Sequence, residues 1–352
     1  MSDASLVSQG AGKKLDYPHE APENGETFEV ASGIFWFRQK LPFHLDHINL
    51  WLLEDGDGWT VVDTGVQLGE TKDAWRNVFK TVMGDKPVKR VIVTHLHPDH
   101  VGLAGWIAKK HQCRLWMSRT DYLTCRTLWH DTGPEVPEDG IRFYRAAGFN
   151  EEQIERYKSR FGFFGHGVYR MPDSYRRIKD EEVITIGKHD WRVVVGSGHA
   201  PEHVCLWCEE LDLFISGDQV LPRISSNVSV HPTEPDGDPL TDWINSCKKI
   251  RDIVPDTVLV LPSHQRCFHG LHARLRQLID GHERNLGNLQ KSLATPKRSV
   301  DVFGALYKRA IGDDLIGMAT GEAIAHLNCL LTRDLASRSQ DENGVVWYQA
   351  KS

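Results

Sequence analysis

The sequence predicts an α/β protein that carries a helical insertion and a small C-terminal domain, and three observations support this prediction. Short apolar runs alternate with helical segments through most of the chain. A helical, aromatic-rich stretch at residues 119–180 interrupts this alternation, and the pattern changes again toward the end of the chain. We therefore expect a polar N-terminal extension at residues 1–27, a main domain at 28–284 and a C-terminal domain at 285–352.

Composition places the chain among soluble globular proteins. With 352 residues, 40% of them hydrophobic, the chain can bury a sizeable core. Its net charge of −6 gives no overall attraction to nucleic acid or to anionic membranes, although a local basic groove stays open. The first 26 residues are polar and no segment is apolar enough to span a bilayer, so we expect neither a signal peptide nor a membrane partner. The seven scattered cysteines favour reduced thiols and a cytoplasmic location.

The strands of the main domain are marked by short apolar runs bounded by turn residues. The runs GIFWFRQ and HINLWLLEDGDGWTVVDTG come first, and the Asp-Gly pair in the second predicts a hairpin. The segment ETKDAWRNVFKTVMG follows with helical periodicity. Further strands are expected in WRVVVGSG, CLWCEELDLFISGD and TVLVLPSH. Cys205 and Cys208 form a CxxC pair inside such a run, and we assign them to core packing rather than to metal or redox chemistry.

The stretch VIVTHLHPDHVGLAG, residues 91–105, concentrates metal-binding side chains on one loop. A β-branched run predicts a buried strand before the loop, and GLAGWIAKK predicts a helix after it. His95 and His97 share a face in extended backbone, and Asp99 and His100 follow at the helix entrance. Imidazole and carboxylate groups together suit zinc and similar divalent metals. One loop cannot complete two coordination shells, so further ligands are expected downstream.

Four more strands are each expected to end in a polar residue of ligand type. These residues are Asp63 in VVDTG, His199 in VGSGHAPEH, Asp218 in FISGD and His264 in VLVLPSH. Taken singly, each could be a turn or a capped strand end. A sheet edge that brings all of them to the first cluster would hold a site for two metal ions.

The HxHxDH loop, followed by a histidine, an aspartate and a final histidine, resembles the signature of the metallo-β-lactamase superfamily, whose fold is an αββα sandwich. The resemblance extends over residues 28–284. It implies a site for two divalent ions, whose ligands are His95, His97 and His199 for one ion, Asp99, His100 and His264 for the other, and Asp218 as the bridge between them. It also implies that Asp63 orients the HxHxDH loop.

The ions are expected to be zinc, with iron and manganese as alternatives, because all three accept histidine and aspartate ligands. Two ions about 3.5 to 4 Å apart would make a bridging hydroxide available as the nucleophile near neutral pH. Asp99 could hold or receive the proton while it remains a ligand. Asn227 is a candidate for polarising the substrate, with the capping of a turn as the alternative. His203 is a candidate for orienting the pocket or contacting substrate, with structural support as the alternative.

The helical insertion is expected to form a wall or lid beside the metal site. Asn150 and Gln153 predict a capping box at the start of one of its helices. The aromatic residues expected partly over the site are Tyr122, Trp129, Phe143, Phe163, Phe164 and Tyr169. Core packing or a contact in a homodimer is the alternative for each of them.

The C-terminal region predicts a winged-helix-like domain. SVDVFGALYKRAI and ATGEAIAHLNCLLTRDLASR predict two amphipathic helices, and ENGVVWYQA predicts a small β wing. With the helix LHARLRQLIDGHERNLGNL that leads into it, this tail resembles that of the β-lactamase-like protein 2 group and of glyoxalase-II-like hydrolases. The resemblance implies either ribonuclease or thioester-cleaving activity.

Three functions follow from these expectations. The first is a hydrolase of a small ester, thioester or lactone, favoured by the acidic net charge and the aromatic insertion. The second is an endoribonuclease or phosphodiesterase, supported by the tail and by Arg142, Arg145, Arg176 and Arg177 of the insertion. The third is a regulatory protein that binds DNA through the winged helix and keeps its metal site as a relic. The complete ligand set argues against the third.

Overall fold

The structure, a computed structural model, describes residues 15–42, 45–131 and 135–351. Two mixed β-sheets form the centre of the main domain. The first sheet contains, in spatial order, β1 (Thr27–Ala31), β2 (Ile34–Lys40), β3 (His47–Asp55), β4 (Gly58–Val62), β5 (Val88–Ile92), β6 (Arg114–Met117) and β7 (Arg176–Arg177). The second contains β8 (Val183–Ile186), β9 (His189–Gly196), β10 (His203–Cys208), β11 (Leu213–Gly217) and β12 (Leu259–Pro262).

The helices cover the outer faces of the two sheets. Before the insertion they are α1 (Gly69–Thr81), α2 (Pro98–Val101) and α3 (Ala104–His111). The insertion contributes α4 (Arg119–His130), α5 (Glu138–Ala147), α6 (Glu151–Arg160) and α7 (Phe163–His166). Later in the chain come α8 (Pro239–Ile253), α9 (Leu271–Ser292), α10 (Phe303–Leu306) and α11 (Ile316–Thr332), and the chain closes with the hairpin β13 (Ala336–Gln340) and β14 (Val346–Ala350).

Three apolar cores show that these elements form four layers. The core between the sheets joins Trp36 and Trp51 of the first sheet to Trp191 of the second. A second core packs the outer face of the first sheet against helices, with Trp75 of α1 at its centre. The third packs the outer face of the second sheet against α8, α9 and α11, with Trp243 fully buried. The fold is therefore the predicted α/β sandwich, with helices outside two packed sheets.

Two local predictions are confirmed at the level of hydrogen bonds and register. β3 and β4 pair antiparallel as the predicted hairpin, and Asp55 lies opposite Gly58, so the two turn residues are Gly56, with a φ of 68°, and Asp57, in place of an Asp-Gly pair. At the start of α6, the Asn150 side chain accepts from the Gln153 backbone N–H, and the Gln153 side chain accepts from the Asn150 backbone N–H.

The C-terminal helices differ from their prediction. SVDVFGALYKRAI forms only a 3₁₀ turn at Ser299–Val302 and the short α10, after which the chain is extended at Tyr307. The Tyr307 hydroxyl donates to the carbonyl of Ala319 in α11, so the segment is tied down by a tertiary contact instead of continuing as a helix. The next helix, α11, is buried on nearly all sides rather than amphipathic.

The predicted boundary between residues 284 and 285 falls inside the continuous helix α9. Leu275 and Leu286, on either side of it, pack in the same apolar core as Leu330 of α11. The C-terminal segment therefore shares its core with the second sheet. At the other end, the described part of the N-terminal extension is also packed, because the Arg266 guanidinium donates to the carbonyls of Tyr17 and His19.

Among the described residues, no helix combines the length and apolar character needed to cross a membrane.

Candidate metal centre

The predicted ligands all follow strands, and the fold brings these strand ends together. His95 and His97 lie on the loop after β5, and Asp99 and His100 lie in the short helix α2 that follows it. In the second sheet, His199 follows β9 and Asp218 follows β11, while His264 follows β12. Because the two sheets are packed face to face, the loops at one edge of the sandwich converge.

Two clusters of ligand atoms form at this edge. In the first cluster, Nε2 of His95 lies 2.9 Å from Nδ1 of His97 and 3.2 Å from Nε2 of His199. In the second cluster, Oδ2 of Asp99 lies 3.7 Å from Nε2 of His100 and 3.5 Å from Nε2 of His264. Each set of three has its ligand atoms within 4.8 Å of one another, which is close enough for them to hold a metal ion.

Asp218 lies between the two clusters and faces both. Its Oδ2 is 3.4 Å from Nε2 of His199 in the first cluster. Its Oδ1 is 3.6 Å from Nε2 of His100 and 3.4 Å from Nε2 of His264 in the second. One carboxylate therefore presents one oxygen to each cluster, which is the arrangement a bridging ligand requires.

Three polar atoms of this site are buried without a hydrogen-bond partner. They are Nε2 of His100, Nε2 of His264 and Oδ1 of Asp218. Leaving such atoms unpaired costs about 1 to 3 kcal/mol each. Since all three converge on the same space and belong to residue types that bind divalent metals, a metal ion would satisfy them together. The residues present thus fit the ions that the ligand set predicts.

Each of three ligand imidazoles has its other nitrogen held by an acceptor. Nδ1 of His100 donates to Oδ2 of Asp63 at 2.7 Å. Nδ1 of His199 donates to the carbonyl of Asn227, and Nδ1 of His264 to the carbonyl of His47, both at 2.7 Å. These bonds fix the tautomer that leaves Nε2 directed into the site, as is usual for histidines that bind metals.

The charges of the site divide the histidines into two groups. Burial disfavours the charged form of His264, but Asp218 and Asp99 outweigh it and raise its pKa to about 10. The pKa of His100 is likewise raised, because Asp63, Asp99 and Asp218 outweigh the effect of burial. At His97, burial together with His199 outweighs Asp99 and Asp218 and lowers its pKa to about 3. The second cluster therefore carries the concentrated negative charge that attracts a cation.

Comparisons with known proteins agree with this geometry. Residues 45–264 match the model of the metallo-β-lactamase superfamily. The chain belongs to the metallo-β-lactamase superfamily. Residues 286–351 also match the metallo-β-lactamase-like C-terminal domain, and together the two matches make the protein a metallo-hydrolase of this superfamily that carries that C-terminal domain.

Three relatives in this superfamily resemble the chain over much of its length. A β-lactamase domain protein from Burkholderia ambifaria is 36% identical, with a TM-score of 0.86 over 96% of this chain and 98% of that one. The probable metallo-hydrolase YqjP of Bacillus subtilis is 23% identical over 91% of this chain and 98% of its own. The human acyl-coenzyme A thioesterase MBLAC2 is 20% identical over 68% of this chain and 80% of its own.

In this metallo-β-lactamase superfamily chain, Asp63 connects β4 to the ligand loop. Its Oδ1 accepts from the backbone N–H of Thr94, and its Oδ2 accepts from the Thr94 hydroxyl, both at 2.8 Å. Asp63 itself has a φ of 60°, in the left-handed region that non-glycine residues rarely adopt. Thr94 was not among the predicted site residues, although its place directly before His95 is a signal that could have found it.

Asp121 of α4 is a site residue that the sequence did not reveal. Its Oδ1 accepts from the backbone N–H of Leu96 at 2.9 Å, between two ligand histidines. Its Oδ2 accepts from the backbone N–H of Glu202 at 2.7 Å, on the loop that begins with His199. Burial raises the pKa of Asp121 to about 6 despite these hydrogen bonds. One buried carboxyl thus joins the ligand loops of the two sheets, and nothing in its local sequence indicates this role.

His203 lies in the site as a support for Asp218. Its Nε2 accepts from the backbone N–H of Asp218 at 3.0 Å, and its ring stacks on His95 with centroids 4.7 Å apart. Gly217 makes this contact feasible, because it has a φ of +53° and a Cβ there would lie 2.4 Å from Cε1 of His203. The geometry matches the structural alternative for His203.

The side-chain amide of Asn227 is hydrogen-bonded on both sides. Its Nδ2 donates to Oε2 of Glu322 at 3.2 Å, and its Oδ1 accepts from the hydroxyl of Ser229 at 2.5 Å. A role of Asn227 in polarising a substrate through this amide stays a prediction. Its contact with the ligands is made by its backbone carbonyl, which holds His199.

The aromatic residues of the insertion serve mainly as packing. Tyr122 is buried and stacks on Tyr175 with centroids 3.8 Å apart, and Phe143 packs against the core of α8, α9 and α11. Of the six aromatic residues expected over the site, Phe163 is the one that is strongly exposed, at 59%. Phe163 is the first residue of α7. Gly167, the residue after this helix, lies against Pro98 of the ligand loop.

Proposed function

We propose that the protein is a dinuclear metal-dependent hydrolase that cleaves a small ester, thioester or lactone. The observation that carries the proposal is the position of Asp218, with one oxygen toward His199 and the other toward His100 and His264. A site for a single ion would need neither this bridging carboxylate nor two separate sets of three ligands. We assign His95, His97 and His199 to one ion and Asp99, His100 and His264 to the other.

Two divalent ions held there would lower the pKa of a water molecule toward neutrality and polarise a substrate oxygen. Residues of the chain orient the ligands and hold a proton. Asp63, Asn227 and His47 hold the ligand imidazoles in the required tautomer. Asp99 is 18% exposed at its side chain, the most open of the carboxylates in the site, so it is our candidate for holding a proton during turnover.

Apolar groups around the ligand loops favour a substrate with an apolar part. Phe163 is 59% exposed at the start of α7, and Leu68, 37% exposed, follows Gln67, whose amide reaches the carbonyl of His166 in α7. On the side of His199, Met318 of α11 is 51% exposed, and its carbonyl lies 3.5 Å from the hydroxyl of Ser229. We propose that these exposed side chains bind the apolar part of the substrate.

Three of the four arginines that supported the nuclease alternative pair with carboxylates, whereas Arg177 has its Nε buried without a hydrogen-bond partner. Arg142 pairs with Asp139, and Arg145 pairs with Glu151 at 3.2 Å. Arg176 pairs with Glu182 and lies over the ring of Trp116, with 4.3 Å between the guanidinium carbon and the ring centroid. Arginines engaged in this way offer less positive charge to phosphate groups.

The comparison with the acyl-coenzyme A thioesterase MBLAC2 supports a thioester within the proposed substrate class, although the identity is only 20%. A β-lactamase-like protein 2 homolog of Caenorhabditis elegans, 21% identical over 76% of this chain, supports placing the chain in the β-lactamase-like protein 2 group. We take the ions to be zinc, because zinc binds histidine nitrogen and aspartate oxygen atoms. Iron and manganese are the alternatives. The seven free cysteines support a reducing, cytoplasmic compartment.

A substrate panel tests the proposal. Metal-free protein is reloaded with two equivalents of Zn²⁺, Fe²⁺ or Mn²⁺ and assayed against acyl-coenzyme A thioesters, aryl esters, lactones, bis(4-nitrophenyl) phosphate and structured RNA. We expect kcat/KM to be highest for an ester, thioester or lactone, and to be lost in Asp218→Ala. Hydrolysis confined to RNA or the phosphodiester would overturn the substrate class in favour of the nuclease alternative.

A further inference from the structure

A hydrogen-bond path links the ligand His199 to the C-terminal helix α11. Nδ1 of His199 donates to the backbone carbonyl of Asn227 at 2.7 Å. Nδ2 of the same Asn227 donates to Oε2 of Glu322 at 3.2 Å. Glu322 is 2% exposed and lies in the middle of α11. Neither Asn227 nor Glu322 coordinates an ion in the assignment above, yet together they set the direction of the acceptor that holds His199.

The segment that carries Asn227, residues 219–230, is fixed to the C-terminal helices at a second point. The hydroxyl of Ser225 lies 3.1 Å from Nε2 of His282 in α9. Nδ1 of His282 lies 3.3 Å from Nε2 of His326, and Nδ1 of His326 lies 2.8 Å from the backbone carbonyl of Glu322. The path therefore closes into a ring that passes through both helices and returns to Asn227.

The direction of the hydrogen bonds in this ring follows from the neutral imidazoles. Burial lowers the pKa of His282 to about 3 and that of His326 to about 4, so each ring has one donor and one acceptor. His326 must donate from Nδ1 to the carbonyl of Glu322, and its Nε2 then accepts from His282. Nε2 of His282 is left to accept from Ser225. A ring in which every member is satisfied holds its parts in one arrangement.

We propose that Glu322 is a positioning residue for the metal ligand His199, so that the C-terminal domain sets the affinity of one of the two ion positions. Asn227 is held at both ends of its side chain, by Glu322 and by Ser229. With Glu322 removed, the amide loses a buried acceptor, and the backbone around it is free to turn its carbonyl away from His199. The proposal rests on the proposed dinuclear site, but it concerns binding of the ions and not the reaction.

Metal titrations of full-length variants test this proposal. Metal-free wild type, Glu322→Ala and Glu322→Gln are titrated with Co²⁺ and Zn²⁺, and the visible spectrum of the Co²⁺ forms is recorded. We expect Glu322→Ala to lower the affinity for one of the two ions by about 10- to 100-fold and to change the Co²⁺ spectrum of that ion. Glu322→Gln keeps an acceptor for the Asn227 amide, so we expect it to restore the wild-type affinity and spectrum.

Asn328→Ala provides a matched control from the same helix. Asn328 is also buried, and its Nδ2 donates to the backbone carbonyls of Pro235 and Gly237, which do not contact His199. We expect this variant to lower the melting temperature while both ion affinities stay at the wild-type value. Equal losses of affinity in Glu322→Ala and Asn328→Ala would show that α11 acts on the site only through general stability, and the proposal would be wrong.

Asn227→Ala tests the proposal if Glu322→Ala does not fold. It removes the same hydrogen bond by deleting its donor and keeps the backbone carbonyl, so we expect the same loss of affinity for one ion. Unchanged affinities in this variant would overturn the proposal. The outcome is separable from the proposed function, because a wild-type protein that binds two ions but cleaves no ester, thioester or lactone leaves these affinity comparisons intact.

Discussion

Asp63 and His100 are joined by a 2.7 Å hydrogen bond between Oδ2 and Nδ1, and both side chains are fully buried. The same carboxylate accepts from the backbone and the hydroxyl of Thr94. It therefore fixes the beginning of the ligand loop and the imidazole at its end with a single group. Because Nδ1 of His100 is the donor, Nε2 is left to face Asp99 and Asp218.

Asp63→Asn should weaken retention of the ion in the second cluster without abolishing the site. The asparagine keeps the shape of the side chain but has only one acceptor oxygen. Asp63 uses two oxygens to accept hydrogen bonds from three donors. We expect a loss of about 10- to 100-fold in affinity, measured by competition with a chelator of known affinity. An affinity equal to that of the wild type for both ions would contradict this role of Asp63.

His97→Ala and Asp218→Ala should differ in how many ions they lose. His97 belongs to the first cluster alone, whereas Asp218 faces both. We expect His97→Ala to retain one ion per chain after dialysis and Asp218→Ala to have a lower affinity for both ions. Hydrolysis should be lost in each variant. Elemental analysis checks the stoichiometry. A wild-type chain that holds only one ion would show that the dinuclear assignment is wrong.

Asp121→Asn should destabilise the protein even without metal. The carboxyl accepts from the backbone N–H groups of Leu96 and Glu202, and an asparagine would direct an NH₂ group toward one of these donors. We expect the free energy of unfolding to fall by about 1 to 3 kcal/mol, measured by urea denaturation of the metal-free protein. Ser118→Ala is the control, since it removes only a 3.3 Å hydrogen bond to the same carboxyl.

The stability of the metal-free protein should depend on pH through Glu322. Burial raises its pKa from 4.5 to about 7, against the hydrogen bond from Asn227 that acts to lower it. Because the folded state binds this proton more tightly than the unfolded state, the contribution is fully present below about pH 4.5 and is lost as the pH rises through about 7. Relative to Glu322→Gln, the wild type should lose about 3 kcal/mol of unfolding free energy over this range.

Urea denaturation of both proteins from pH 4.5 to 8.5 measures this difference. All other titrating groups are common to the two proteins, so their effects cancel in the comparison. A difference that stays constant with pH would mean that Glu322 titrates near its ordinary value in the folded protein.

Phe163→Ala should change substrate preference and leave the metal content intact. The side chain is exposed in α7, and Gly167, which follows this helix, lies against Pro98 of the ligand loop, so loss of the Phe163 side chain removes apolar surface near that loop without opening the core. We expect kcat/KM for long acyl thioesters to fall relative to short ones. Leu123→Ala, which removes an exposed apolar side chain from α4 at a surface depression, should leave the preference unchanged. The same shift in both variants would argue against a specific role for Phe163.

A point substitution is a sharper test than removal of the insertion. Replacing residues 134–172 would also delete Phe143 from the core of α8, α9 and α11. It would break the ion pair of Arg156 with Asp313, which ties α6 to the segment before α11. Loss of activity in such a variant would reflect unfolding as readily as loss of a substrate wall.

Features that depend on neighbouring residues could be predicted from the sequence. The hairpin of β3 and β4 is predicted by EDGDG, although its turn residues are Gly56 and Asp57 and not an Asp-Gly pair, and the start of α6 is predicted by Asn150 and Gln153, three residues apart. The predicted ligands could be found because each ends a strand in an apolar run, and strands of one sandwich deliver such residues to a common edge. The extent of SVDVFGALYKRAI as a helix was wrong, because a contact of Tyr307 with α11 overrides its local periodicity.

The residues that hold those ligands in place are set by packing between distant parts of the chain. The acceptor of His264 is the carbonyl of His47, 217 residues away. Because every residue type has a backbone carbonyl, this contact cannot be predicted from the sequence. Asp121 lies 81 residues from Glu202, and Asn227 lies 95 residues from Glu322. A carboxyl gains such a partner only when packing of separate layers removes both groups from water, and that burial is a property of the whole fold and not of the local chain.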